Sequence, residues 1–193
     1  MSDPNTAIAE PSADQYPDPA WAYGLGAALT VQRTGNRNWT FSLIDGPNMA
    51  NLGKGAGRGG RDPRTYGVVS SLYALQHGMA EFARGLGATL LPFDSYHEGD
   101  IIAHVYDSAP RVDAFLINPA ALTRFGVPFK MALTDVQRPY VELHFSNISA
   151  IGWAGGGATT PTAASVVMGL RQYSYVGAIF GLVCALDSGA SLT

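Results

Sequence analysis

Thr40-Phe41-Ser42-Leu43-Ile44-Asp45-Gly46-Pro47-Asn48 reads as a short strand running into a tight turn. Aromatic, β-branched and aliphatic residues suit a pleated, half-buried strand, and Gly-Pro-Asn is turn chemistry. Four more runs of this kind follow, at Ala88–Phe93, Ala114–Ile117, Tyr140–Leu143 and Ser165–Leu170. Between them, Val68–Leu86, Gly99–Ser108, Val127–Asp135 and Tyr173–Leu186 read as helices or partial helices. Strands alternating with helices predict βαβ units, and so an α/β fold whose parallel sheet is covered on both faces. Such sheets bind ligands beyond the carboxyl ends of the strands, where the strand order reverses. Polar residues follow the predicted strand ends at Asp45–Asn48, Asp94–Glu98, Asn118 and His144–Asn147, which predicts a site there without naming a reaction.

Composition narrows the function classes. The 193-residue chain is 14% charged and 47% apolar, with a formal net charge of -3. These values argue against a coiled coil or general disorder and leave no basic footprint for nucleic acid. No apolar run is long enough to span a bilayer. Asp3, Glu10, Asp14 and Asp18 precede the first basic residue, the reverse of a signal peptide. A soluble, cytoplasmic protein with no membrane partner is expected. Residues 1–38 read as a partly disordered N-terminal extension, and 39–193 as the folded domain. Cys184, the single cysteine, excludes an intramolecular disulfide and a cysteine-based zinc site, and its apolar surroundings predict a packed thiol. Four histidines without metal-like spacing predict no metal site.

Glycine is in excess, and nine of the 23 glycines fall in the segments 53–60 and 152–157. The first segment lacks the Gly-Lys-Ser/Thr closure of a phosphate loop and reads as a flexible basic loop. The second is a loop on composition.

Five blocks carry a resemblance. Ile44-Asp45-Gly46-Pro47-Asn48 with Asn51-Leu52-Gly53 resembles the Gly-Pro-Asn-Leu-Asn-Leu-Leu-Gly turn of type II dehydroquinases. Arg61-Asp62-Pro63-Arg64-Thr65-Tyr66-Gly67 is similar to that family's Arg-Glu-Pro-x-x-Tyr-Gly lid. Ser95-Tyr96-His97-Glu98-Gly99, Ile117-Asn118-Pro119-Ala120-Ala121 and Glu142-Leu143-His144-Phe145-Ser146-Asn147 follow in the family's order. The resemblance implies a flavodoxin-like, doubly wound, five-stranded parallel sheet and a cofactor-free elimination of water from a cyclic keto acid. It implies Tyr66 as a phenolate base beside a ketone, with Arg61 holding the anion. Asn48 would help hold a water that stabilises the enolate. His144, oriented by Glu142, would protonate the leaving hydroxyl. Asn118 and the backbone amides of Phe145 and Ser146 would receive the substrate carboxylate. Homo-oligomers built on trimers, up to a dodecamer, are implied as well.

Departures from the family are concentrated. Arg124 stands where a substrate-binding histidine is expected, and Lys130-Met131 replaces an Arg-Asp pair. Ala150–Gly155 carries neither of two expected arginines, Ser95-Tyr96 replaces Ser-Asn, and the lid is longer, so that Arg58 competes with Arg61 as partner of Tyr66. Residues assigned to proton transfer and carboxylate binding match, whereas those assigned to ring hydroxyls do not. The expectation is therefore a hydro-lyase or hydratase acting through an enolate on a cyclic substrate other than 3-dehydroquinate, with Arg124 as a further substrate contact. Three alternatives stand beside it: a hydrolase opening a cyclic β-diketone, a true 3-dehydroquinate dehydratase, and a non-catalytic homologue.

Overall fold

A computed structural model describes residues 35–54, 62–67, 69–151 and 157–192. Its strands are β1 (Trp39–Asp45), β2 (Ala88–Asp94), β3 (Ala114–Asn118), β4 (Tyr140–His144) and β5 (Ser165–Met168). The helices are α1 (Pro63–Tyr66), α2 (Leu72–Gly85), α3 (Glu98–Ser108), α4 (Leu122–Phe125), α5 (Val127–Asp135) and α6 (Tyr173–Asp187). The five strands pair in parallel in the order β2-β1-β3-β4-β5. This is the expected flavodoxin-like sheet, and its order reverses between β1 and β3.

Period-2 alternation divides the core into two layers. Phe41, Leu43, Leu116, Val141 and Leu143 face α2 and α6, where Leu75, Met79, Phe82, Ile179 and Leu182 meet them. Ile44, Phe115, Ile117 and Tyr140 face α3 and α5, against Ile101, Val105, Phe129 and Leu133. Near-continuous burial of β1, β3 and β4 follows from cover on both sides. Pro92 lies in β2, an edge strand, where a missing N–H leaves no ladder bond unmade.

Helix ends follow local capping. The first long helix starts at Leu72 rather than at the predicted Val68, because extended Ser71 caps it by accepting from the Ala74 amide at 3.0 Å. Glu98 lies in the first turn of α3, and its carboxylate accepts from the Phe129 amide in the first turn of α5 at 3.2 Å, joining the two helices. The final strand stops at Met168, two residues short of expectation, where Gly169 turns to φ 90°.

Cys184 corrects one expectation. It is exposed, because the helical period turns Ile179, Leu182 and Val183 toward the sheet and Cys184 away. Among the described residues no helix is long and apolar enough to cross a membrane. The N-terminal extension before Gly35 lies outside them.

Candidate active site

Beyond the carboxyl ends of β1, β3 and β4 lies a cavity of about 210 Å³. Its lining comes from the turn after β1 (Asn48, Met49), from Tyr66, from the end of β3 (Asn118, Ala120, Ala121), and from β4 onward (His144, Phe145, Ser146, Ile148). The location is the switch point of the sheet.

Close approach of two turns builds one wall. The Gly46 amide donates to the Asn118 carbonyl at 2.8 Å, and a Cβ at Gly46 would stand 2.5 Å from the Pro119 carbonyl oxygen. Only glycine fits there. Asn48 then takes φ 71°, a left-handed conformation that asparagine tolerates better than most residues. Its role as a turn residue and its place in the cavity wall are thus the same fact.

Local capping also presents Tyr66. Asp62 Oδ1 accepts from the Arg64 amide at 2.9 Å, and the Tyr66 amide donates to the Asp62 carbonyl at 2.9 Å. Asp62 therefore starts the single helical turn that ends at Tyr66, with Pro63 at its first position. Arg64 is held by Asp62 at 2.8 Å, and that charge pair depresses the Asp62 carboxyl below its usual range. The Tyr66 ring packs on Phe145 at 5.3 Å between centroids, and Phe145 packs on Tyr175 at 5.2 Å.

Glu142 and His144 share a strand face, as residues two apart must. Nε2 of His144 lies 2.7 Å from Glu142 Oε1, and both side chains are buried. Glu142 accepts two further bonds, from Thr159 Oγ1 at 2.7 Å and Thr160 Oγ1 at 2.8 Å. Tyr140 closes this group: its hydroxyl bonds the Thr159 carbonyl and lies 2.6 Å from Thr162 Oγ1. Burial, with a further contribution from the charge of Glu142, pushes Tyr140 up to about 12, partly opposed by the Thr162 bond. With Nε2 committed to Glu142, the remaining ring nitrogen of His144, Nδ1, is the one available for proton transfer to a ligand.

Asn118 comes from the opposite face of the sheet, with Asp45. Its Nδ2 donates to Tyr175 Oη at 2.8 Å, and Tyr175 donates to Asp45 Oδ1 at 2.5 Å. Gln76 Nε2 donates to Asp45 Oδ2 at 3.0 Å. Burial raises Asp45 to about 6 against the lowering effect of those bonds, with Asp94 adding to the rise. Burial, reinforced by the charge of Asp45, holds the Tyr175 phenol well above its usual range.

The structure thus brings together Asn48, Tyr66, Asn118, His144, Phe145 and Ser146, with Glu142 directly behind His144. Arg124 is not brought to them. It is exposed on α4, 5.9 Å from the centroid of the Phe125 ring, and does not line the cavity. Arg61, Arg58 and Trp153 lie outside the described residues. Gln76, Thr159, Thr160 and Tyr175 are supporting residues that sequence reasoning missed, whereas Asp45, which lies with them, is marked in the sequence by its place at the first strand end. The others sit 17 to 130 residues from the groups they bind, and nothing local marks them. Among the described residues no group of three or more His, Cys, Asp or Glu is placed to hold a metal ion.

An α/β switch-point cavity that joins a tyrosine to a carboxylate-backed histidine is an arrangement able to support general acid–base chemistry. The family model "Dehydroquinase class II" matches residues 39–183, and the chain belongs to that family of dehydratase-type lyases. A catabolic 3-dehydroquinase of Aspergillus clavatus is 35% identical over 151 residues, 78% of this chain and 96% of that protein. Catabolic 3-dehydroquinase 1 of Neosartorya fischeri is 37% identical over 138 residues, covering 71% and 87%. Among solved structures, type II dehydroquinase from Butyrivibrio crossotus superposes with a TM-score of 0.68 at 25% identity, over 75% of this chain and 97% of that one. The Propionibacterium acnes enzyme gives 0.68 at 23% identity, over 77% and 99%, and shows the shared fold.

Proposed function

We propose that this chain dehydrates 3-dehydroquinate without a cofactor, with Tyr66 as base and His144 as acid. The observation that carries the reading is the meeting of Tyr66, Asn48, Asn118 and His144 on one cavity. The curated relatives bearing the name catabolic 3-dehydroquinase support the choice of substrate. In this reading the Tyr66 phenolate takes a proton from the carbon beside the ketone, and the electron pair becomes an enolate. Asn48 serves the enolate oxygen through a water. The enolate collapses to expel the ring hydroxyl, to which His144 Nδ1 delivers a proton, so that water leaves. Glu142, 2.7 Å from Nε2, orients the ring for that step. Arg61 is assigned to the Tyr66 phenolate, since an adjacent cation favours the anion. Asn118, with the Phe145 and Ser146 amides, takes the carboxylate.

A second reading keeps this chemistry and changes the substrate to a less hydroxylated cyclic keto acid. One observation favours it: among the described residues no arginine or lysine lines the cavity, and Met49, Ala120, Ala121, Phe145 and Ile148 do. The names of the curated relatives give it no support. Incubation with 3-dehydroquinate separates the two. Enzyme-like formation of the conjugated enone, with loss of one water by mass, supports the first reading. No reaction, with turnover of an analogue lacking ring hydroxyls, supports the second. Gain of one water points instead to a hydrolase.

The proposal includes self-association, supported by the exposed Phe125, Val127 and Met131 beside one another on α4 and α5. A light-scattering mass equal to one chain overturns that part.

A further inference from the structure

We infer that Asp45, acting through Tyr175, is a positioning residue that fixes which end of the Asn118 carboxamide meets the substrate. The inference rests on reading the cavity as a keto acid site.

Hydrogen-bond direction orders these three groups. An ionised carboxylate only accepts, and a phenol has one proton to give. Asp45 Oδ1 takes the Tyr175 proton at 2.5 Å while Gln76 fills Oδ2 at 3.0 Å. Tyr175 Oη is left able only to accept, and the group beside it, 2.8 Å away, is Asn118 Nδ2. The second Nδ2 proton faces the Met49 sulfur at 3.6 Å, and the amide oxygen lies 3.4 Å from the Ala120 nitrogen. Asp45 and Tyr175 are completely buried and Asn118 is 3% exposed, so water has little access to break this order.

The consequence lies at the cavity wall, which Met49 and Asn118 both line. A thioether is a weak acceptor, and an arriving carboxylate oxygen replaces it with a charged one. The relay therefore presents Asn118 to an anion as a donor. A neutral asparagine at position 45 could donate as well as accept. Tyr175 would then be free to turn its proton toward Asn118 Oδ1, and the reversed amide would offer a lone pair to an anion.

Among the described residues, four elements each place a group beside Asp45. Gln76 comes from α2, Tyr175 from α6, Asn118 from β3 in register, and Asp94 from β2 in register. The single charged group acting on Asp45 among these is Asp94, which opposes its ionisation as burial does. Acidification below neutrality therefore loosens the relay.

The test uses the full chain labelled with nitrogen-15, with the Asn118 side-chain amide pair identified by its loss in Asn118→Asp. From about pH 8 to about pH 5 the wild-type pair is expected to shift as Asp45 takes its proton. In Asp45→Asn and in Tyr175→Phe the same pair is expected to stay flat. A flat wild-type pair overturns the inference, and so does an unchanged transition in either variant: in Asp45→Asn it would come from another group, and in Tyr175→Phe it would reach Asn118 without the relay. With 3-dehydroquinate, both variants are expected to raise KM about tenfold with kcat within about twofold, the signature of lost uniform binding. A fall in kcat at constant KM overturns it. Failure of the wild type to turn over 3-dehydroquinate would sink the proposed substrate alone, because the amide titration needs none.

Discussion

His144 Nε2 stands 2.7 Å from Glu142 Oε1, and the same carboxylate oxygen accepts the Thr160 hydroxyl at 2.8 Å. His144 is thus held by a buried carboxylate that is itself held from a segment beyond the strand. Orientation passes from Thr160 to Glu142 to His144.

Removing either transfer group is expected to reduce kcat by about 10²- to 10⁴-fold, through Tyr66→Phe at one end and His144→Gln at the other. Steady-state rates on folded variants check this. Retention of activity within tenfold of wild type in both would defeat the assignment of base and acid.

Thr160→Val leaves Glu142 with one donor fewer in a buried setting, a loss of about 1–3 kcal/mol of stability. Denaturant titration should detect that loss, and kcat should fall as His144 loses its fixed orientation. Thr160→Ser, which keeps the hydroxyl, is expected to restore both. A valine variant as stable as wild type would show that the Thr160 bond contributes nothing.

Asp45 predicts a pH dependence of folding. Its value rises from 3.8 to about 6 on folding, so the folded state binds the proton more tightly. The associated stability is full below the unfolded value and is lost as pH rises through about 6. Relative to Asp45→Asn, the wild type should therefore gain about 2–3 kcal/mol between pH 7 and pH 4. Paired urea curves at the two pH values measure the difference, and a constant gap would refute it.

Arg124 faces solvent, so Arg124→Ala is expected to leave KM within about twofold of wild type, as surface changes generally leave energetics little altered. A tenfold rise would mean that the side chain reaches the ligand in a conformation other than this one.

Gly53 takes φ 76°, and a Cβ there would collide with the Ser70 carbonyl oxygen. Because the obstacle is backbone, Gly53→Ala should cost more than the roughly 1 kcal/mol of a strained left-handed alanine. Thermal melts against Gly85→Ala, where a Cβ meets nothing within 4 Å, provide the control.

Sequence alone determined the layered α/β architecture, since hydrophobic runs of strand length alternating with helical stretches leave few other ways to bury both kinds of surface. It also determined the members of the site that follow strand ends, Asn48, Asn118 and His144, because a parallel sheet delivers such residues to one edge. Tertiary structure alone decided what stands behind them. Tyr175 meets Asp45 across 130 residues, and Thr159 meets Glu142 across 17, through the packing of α6 and of the turn before β5. It also decided what stays away, turning Arg124 and Cys184 to solvent. The physical reason is that periodicity records which face of an element is buried, whereas hydrogen-bond partners depend on which elements are brought together.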